Sequence, residues 1–263
     1  TNDISEWNGI YTGKYKTLIN VPISIASSLA ASCVPALTAA YTNGDQEKVR
    51  SQINTAIRFI MVIAFPCAVG MGVLASPILQ LLFHDSSELA AAMLQLGAVS
   101  ILFFSLSTLS NGLLQGINRM HEPVKNALIA LVLHIGLLIG LMYGFHLNIY
   151  AVVYANAFFG LLMCVLNAYS VKKYSGYKQE WKRTFLIPGL SAVVMGAAVW
   201  GVYKLTLYLF RVNALATVIS ILVGVCVYAV VLLLLHGMTE EEIRKFPKGY
   251  LLVRIAKKMH LLH

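Results

Sequence analysis

The sequence predicts an all-α, polytopic membrane protein with seven transmembrane helices, on three observations. Of its 263 residues, 58% are apolar and only 12% charged, with a mean hydropathy of +0.73; soluble globular domains carry about 25% charged residues. Runs of about 20 apolar residues, the length a helix needs to cross roughly 30 Å of hydrocarbon, recur at 17–41, 53–75, 89–116, 126–146, 148–171, 185–210 and 213–236. Finally, basic residues gather in alternate connections. Fifteen of the twenty Lys and Arg follow the first, third, fifth and seventh runs: Lys48 and Arg50; Arg119 and Lys125; Lys172, Lys173, Lys178, Lys182 and Arg183; and six from Arg244 to Lys258. By the positive-inside rule these connections face the cytoplasm. The C-terminus is then inside and the first run enters from outside. The same distribution argues against nucleic acid as a partner, despite a net charge of +9, because the charge is split among short membrane-flanking loops.

Residues 1–16 read as an outer-side lead-in, and with Thr1 as its first residue the chain is expected to be a fragment or a processed piece. The first run contains Pro22 and Pro35, each of which frees a backbone carbonyl and can kink a helix. Lys14 and Lys16 stand at its outer end, against the prevailing charge bias. Lys16, Asn20, Ser24 and Ser27 continue down one helical face. These lysines either snorkel to headgroups or line a path for an anionic cargo. Arg58, about 7 Å along the second helix from Ile53, has the same two options: the headgroups or an internal cavity. Pro66, Gly70 and Gly72 suggest a bend or close packing. The following ASPILQLLFHDS is too short to span and reads as a surface helix or re-entrant turn.

The third run ends in TLSNGLLQGINRMHEPVK, Thr108 to Lys125. Thr108, Asn111, Gln115 and Asn118 are spaced to share a face, and amides in lipid need partners. They either hydrogen-bond a neighbouring helix or line a polar cavity for a hydrophilic cargo. His134, well inside the fourth run, is read as a hydrogen-bonded packing residue or a proton-coupling group. Asn156 and Asn167 share a face of the fifth run with Gly160 and Cys164 between them, suited to a neighbouring helix or a cavity wall. A basic cytoplasmic loop, 172–184, precedes a terminal pair, 185–236, apolar nearly all round and therefore peripheral. The tail, 237–263, opens with a capping box from Thr239 to Glu242. It then sets Leu251, Leu252, Ile255, Met259 and Leu262 against Arg254, Lys257 and Lys258, as in a helix lying on an anionic leaflet.

Catalytic chemistry is not encoded in any recognisable form. All eleven Asp and Glu lie in loops or tails, so no run offers a buried carboxylate for ion binding. There is no HExxH, G-x-S-x-G or Walker loop. Cys33, Cys67, Cys164 and Cys226 each sit in a different run, without metal-site spacing, and read as packing residues. The expectation is a non-enzyme with no cofactor and no metal.

Four stretches resemble a known family: NGIYTGKYKTLINVP with SLAASCVPALTAAYTNGD, between Asn8 and Asp45; AIRF with FPCAVGMGVLASPILQLLF, between Ala56 and Phe83; LLQGINRMHEP, Leu113 to Pro123; and FPKGYLLVRIAKK near the end. They resemble the second half of the stage V sporulation protein B-like polysaccharide transporters, relatives of the lipid II flippases in the multidrug/oligosaccharidyl-lipid/polysaccharide exporter superfamily. The resemblance implies a fourteen-helix transporter of two six-helix lobes and a terminal pair. Residues 17–171 would supply five helices of the second lobe and 185–236 the pair, with the N-terminal lobe outside this chain. It further implies alternating access in the bacterial cytoplasmic membrane. A cationic cavity would accept the phosphate-bearing head of an undecaprenyl-linked glycan while the tail stays among membrane lipids. Lys16 and Arg58, with Lys14 behind them, would then contact phosphate, and Asn20 would continue that lining. Asn111 and Gln115 would hydrogen-bond sugar hydroxyls. Sodium-coupled relatives carry a carboxylate on the helix matching the fourth run; this chain has none there, which leaves a proton or the membrane potential. Two rival expectations are a multidrug antiporter of the same superfamily and a non-transporting scaffold for cell-wall or spore-coat assembly.

Overall fold

Helix boundaries follow local chemistry. Asp45 accepts the Lys48 N–H at 3.0 Å and Ser87 accepts that of Ala90 at 3.4 Å, each cap satisfying one orphan donor of a helix start. Gly44 (φ +73°) and Gly176 (φ +64°) turn the chain after two of the long helices, the left-handed stop that glycine makes without a Cβ clash.

The structure, a computed structural model, describes residues 2–240 together with Tyr250 and Arg254. Among these residues all regular structure is helical: α1 (Ser5–Thr42), α2 (Gln46–Val73), α3 (Ala75–Phe83), α4 (Glu88–Gly97), α5 (Ser100–Gly116), α6 (His121–Gly144), α7 (Ile149–Ser175), α8 (Lys182–Phe210) and α9 (Asn213–Leu234). Six of them are long and apolar enough to cross a membrane. α4 and α5, bent by 46° at their junction, give a seventh span if taken together. The expected surface element is the nine-residue helix α3. The predicted amphipathic tail and its capping box lie outside the described residues, apart from Gly237–Glu240, Tyr250 and Arg254.

Two expectations change in detail. Helix already runs from Asn2, well before the apolar run at 17, and α1 passes through a π-helical turn at Ile10–Tyr15. Tyr11 and Tyr15 are buried there and stack with centroids 5.3 Å apart; aromatic burial extends the helix beyond the stretch that hydropathy alone marks. Asn118, in turn, leaves the face expected with Thr108, Asn111 and Gln115. α5 stops at Gly116, and Asn118 takes a left-handed conformation (φ +56°), one that asparagine tolerates, while the Arg119 N–H donates to the Leu114 carbonyl at 2.8 Å.

The core forms where α1 lies along α5. A Cβ at Gly112 would stand 2.7 Å from the Ala30 Cβ, so the bare glycine lets the two backbones approach, as small residues do between membrane helices. One turn further along α5, the Gly116 carbonyl accepts from the Thr38 hydroxyl at 3.0 Å, which satisfies an acceptor that the end of α5 leaves open. α5 also packs on α2 and α7, and Ile53 and Ile60 of α2, Leu94 of α4, and Ile101, Leu109 and Leu114 of α5 are fully buried in this core. A second apolar cluster joins α2 to α8 and α9 through Val62, Met195, Val199, Tyr228 and Leu232. Proline 66 lacks an N–H and so strands the Val62 carbonyl four residues back; the Tyr228 hydroxyl of α9 donates to that carbonyl at 2.8 Å. The outward faces of α6, α8 and α9 are aliphatic, with Val132 70%, Val193 63% and Leu222 62% exposed.

Candidate functional site

α1 exposes a broad face that includes Val21 and Ile25, and within it one stripe carries no aliphatic side chain larger than alanine or proline: Gly13, Lys16, Asn20, Ser24, Ser27, Ala31, Pro35, Thr38 and Thr42. These positions recur every three or four residues, so they form a continuous face about 44 Å long. It lies roughly a quarter-turn from Ala30, the residue against α5, and away from the buried edge of Pro22, Ala26 and Ala40. The serines answer their own donors: Ser24 donates to the Val21 carbonyl at 2.7 Å and Ser27 to that of Ile23 at 3.3 Å. Their oxygens keep acceptor capacity outward. Lys16 places its ammonium 4.9 Å from the centre of the Tyr11 ring, a cation–π contact. Thr108 and Gln115 lie on α5 between its Gly112 side, against α1, and its Asn111 side, against α7, and so open onto the same seam.

The other expected contact residues are committed to partners within the chain. Lys14 forms an ion pair with Asp85 at 2.5 Å, in the loop between α3 and α4. That pairing, through its hydrogen bond above all, holds the Asp85 carboxyl below the usual carboxylate range. Arg58 is only 8% exposed and donates to the Gly237 carbonyl at 2.9 Å, tying α2 to the segment after α9. Beside it the buried Tyr177 hydroxyl donates to Asn54 at 2.9 Å, and burial pushes this phenol up to about 12. Asn111 accepts from Asn167 at 2.7 Å. Asn126 donates to Asn167 at 2.9 Å and to Ser170 at 3.1 Å. The amides of α5, α6 and α7 therefore make one interhelical network. Asn156 reaches across to the Tyr11 hydroxyl. His134 lies 2.9 Å from the Ala155 carbonyl, with its ring edge on Phe159.

The structure thus brings Lys16 and Asn20 together on the α1 stripe and sets Gln115 at its border, whereas Lys14, Arg58 and Asn111 bind elements of the bundle to one another. Sequence reading missed Asp85, Tyr11 and Gly237 as partners. Only the lysines standing against the charge bias at the outer end of the first run pointed to a need for partners there. Among the described residues no group of three His, Cys, Asp or Glu is arranged to hold a metal ion.

Membrane-length helices, aliphatic on the outward faces of three of them, define a multi-pass membrane protein. The chain belongs to the lipid II flippase MurJ family: residues 16–221 match the family described as "Lipid II flippase MurJ". It is similar to the lipid II flippase MurJ of Bacillus subtilis (strain 168), 29% identical over 195 residues, which are 72% of this chain and 35% of that protein. It is likewise similar to a probable lipid II flippase MurJ of Bdellovibrio bacteriovorus, 29% identical over 188 residues, 68% of this chain and 35% of the relative. An uncharacterized membrane protein, YabM of Bacillus subtilis, is 24% identical over 261 residues, 95% of this chain and 47% of its own length. The chain spans between about a third and about half of the length of these relatives.

Proposed function

We propose that this chain is one lobe and the terminal helix pair of a fourteen-helix flippase. It moves a lipid-linked oligosaccharide or peptidoglycan precursor across the bacterial cytoplasmic membrane by alternating access. The α1 stripe carries this reading. Over eight turns, interrupted by Ala31 and Pro35, this face exposes Lys16, Asn20, Ser24, Ser27, Thr38 and Thr42; hydrocarbon would leave the Lys16 charge and the Asn20 amide unsolvated, so this face lines a hydrated space completed by the other lobe. Within it Lys16 meets the cargo's phosphate, and Asn20 and Gln115 hydrogen-bond its phosphate or sugar oxygens. Lys14, Arg58 and Asn111 fix the shape of the wall through their partners. On this reading the C-terminus is cytoplasmic, which the basic connections support. Membership of the stage V sporulation protein B-like branch rests on the four stretches named above, and YabM, which aligns along nearly the whole chain, is the relative to compare first.

The test is flipping by the full-length protein in reconstituted vesicles. Lys16→Glu is expected to lower the rate by at least about tenfold, and Lys16→Arg to keep most of it, because a surface-facing charge opposite a phosphate is worth about 1 kcal/mol or more per sign. Unchanged flipping in Lys16→Glu, with normal membrane insertion, would reject the assignment of this face to the cargo.

A further inference from the structure

A groove between α2, α5, α7 and the start of α8 takes no residue from α1. Its volume is about 680 Å³, inside the roughly 300–1,000 Å³ range of ligand pockets. Phe103, Leu106, Leu161 and Val165 wall its interior. On α7, Leu161, Val165 and Tyr169 follow one another at four-residue spacing, all exposed, and lead to Lys172. At that end Lys178 and Trp181 also line the groove, with Trp181 70% exposed.

Three features of this groove point the same way. Tyr and Trp at one end are the side chains that settle at headgroup level. From Lys172 to Leu161 is eleven residues, about 16 Å of helix, which is about half of a ~30 Å hydrocarbon core and hence one leaflet. The 172–186 stretch carries five basic residues against a single acid, Glu180, and neither Lys172 nor Lys178 pairs with a carboxylate among the described residues.

We propose that the groove binds an anionic glycerophospholipid of the adjacent leaflet. One acyl chain lies between α5 and α7, and the phosphate sits on Lys172 and Lys178, whose compact ammonium groups suit it. A polyprenyl chain much longer than one leaflet overruns the groove, so the cargo's tail is not its occupant. The site is independent of the α1 stripe, and lipid retention is read without transport, so either proposal can fail alone.

The experiment is native mass spectrometry of the full-length protein, delipidated and then offered phosphatidylglycerol or phosphatidylcholine. The wild type is expected to retain phosphatidylglycerol with a preference of roughly thirtyfold, the value that two lysines carry toward anionic lipid. The double variant Lys172→Gln/Lys178→Gln is expected to lose the preference while still binding lipid, and Val165→Trp to lose bound lipid of both kinds. Equal retention of the two lipids by the wild type would overturn the proposal, as would an undiminished preference in the double variant. So would full displacement of phosphatidylglycerol by equimolar undecaprenyl phosphate, which would give the groove to the cargo's tail. Should the double variant not fold, Val165→Trp alone decides: retention unchanged refutes the site.

Discussion

At the residue scale, the bundle is held by polar groups that answer specific vacancies. Pro66 opens one on α2 and Tyr228 fills it from α9. Tyr228→Phe is therefore expected to destabilise the protein by about 1 kcal/mol, the usual worth of such a bond between membrane helices. The same change made in Pro66→Ala should cost little, since the α-helical N–H then takes the Val62 carbonyl; unfolding in detergent measures both. The Lys14–Asp85 pair sets an acid limit. A depressed Asp85 value means that the pair's stabilisation is present above the ordinary carboxylate pKa near 4 and is lost as pH falls through the lower folded value. Asp85→Asn is expected to remove that acid-side loss, leaving a flatter stability profile between pH 5 and pH 2 (about the range in which a paired carboxylate titrates). The polar residues themselves were legible, but their partners were not. Helical spacing tells which face a side chain occupies and says nothing of the neighbour: Asn167 meets Asn126 across 41 positions, and Lys14 meets Asp85 across 71. For the same reason Arg58 could be read toward headgroups or a cavity, when a backbone carbonyl at Gly237 takes it.

At the element scale, the spans were readable because hydrocarbon imposes length and apolarity on any helix that crosses it. Six long helices and one bent pair follow the seven apolar runs. The bend was hidden inside the third run, which is unbroken in hydropathy. Its cause is local: Gly97 ends α4 against the Tyr15 ring, and Ser100 opens α5, a Gly/Ser combination that commonly kinks helices. The start of α1 was hidden for the opposite reason, since buried tyrosines prolong it past the apolar stretch. The joint between α1 and α5 is close at Gly112 on Ala30. Gly112→Val is expected to push α5 off α1 and lower stability by about 1–3 kcal/mol, seen as a lower unfolding temperature. Ala30→Gly should restore part of the loss in Gly112→Ala, because the contact that forbids a side chain at 112 is Ala30's own Cβ and backbone.

At the scale of the whole molecule, one contrast organises everything. α6, α8 and α9 turn valine and leucine outward, whereas α1, beside Val21 and Ile25, turns out lysine, asparagine and serine. Family membership supplies the context of lipid II flippases, and the contrast supplies the place where a hydrated path would run. The decisive measurement is thiol labelling of the full-length protein in native membranes, its own cysteines replaced by alanine, with single cysteines at Ser24, Ser27 and Val132. A membrane-impermeant, water-borne reagent is expected to modify Ser24→Cys and Ser27→Cys at least about tenfold faster than Val132→Cys, because thiolate forms in water and is suppressed in apolar surroundings. Equal, slow labelling at all three positions would mean that the first helix faces lipid or protein along its length, and the hydrated wall would not exist.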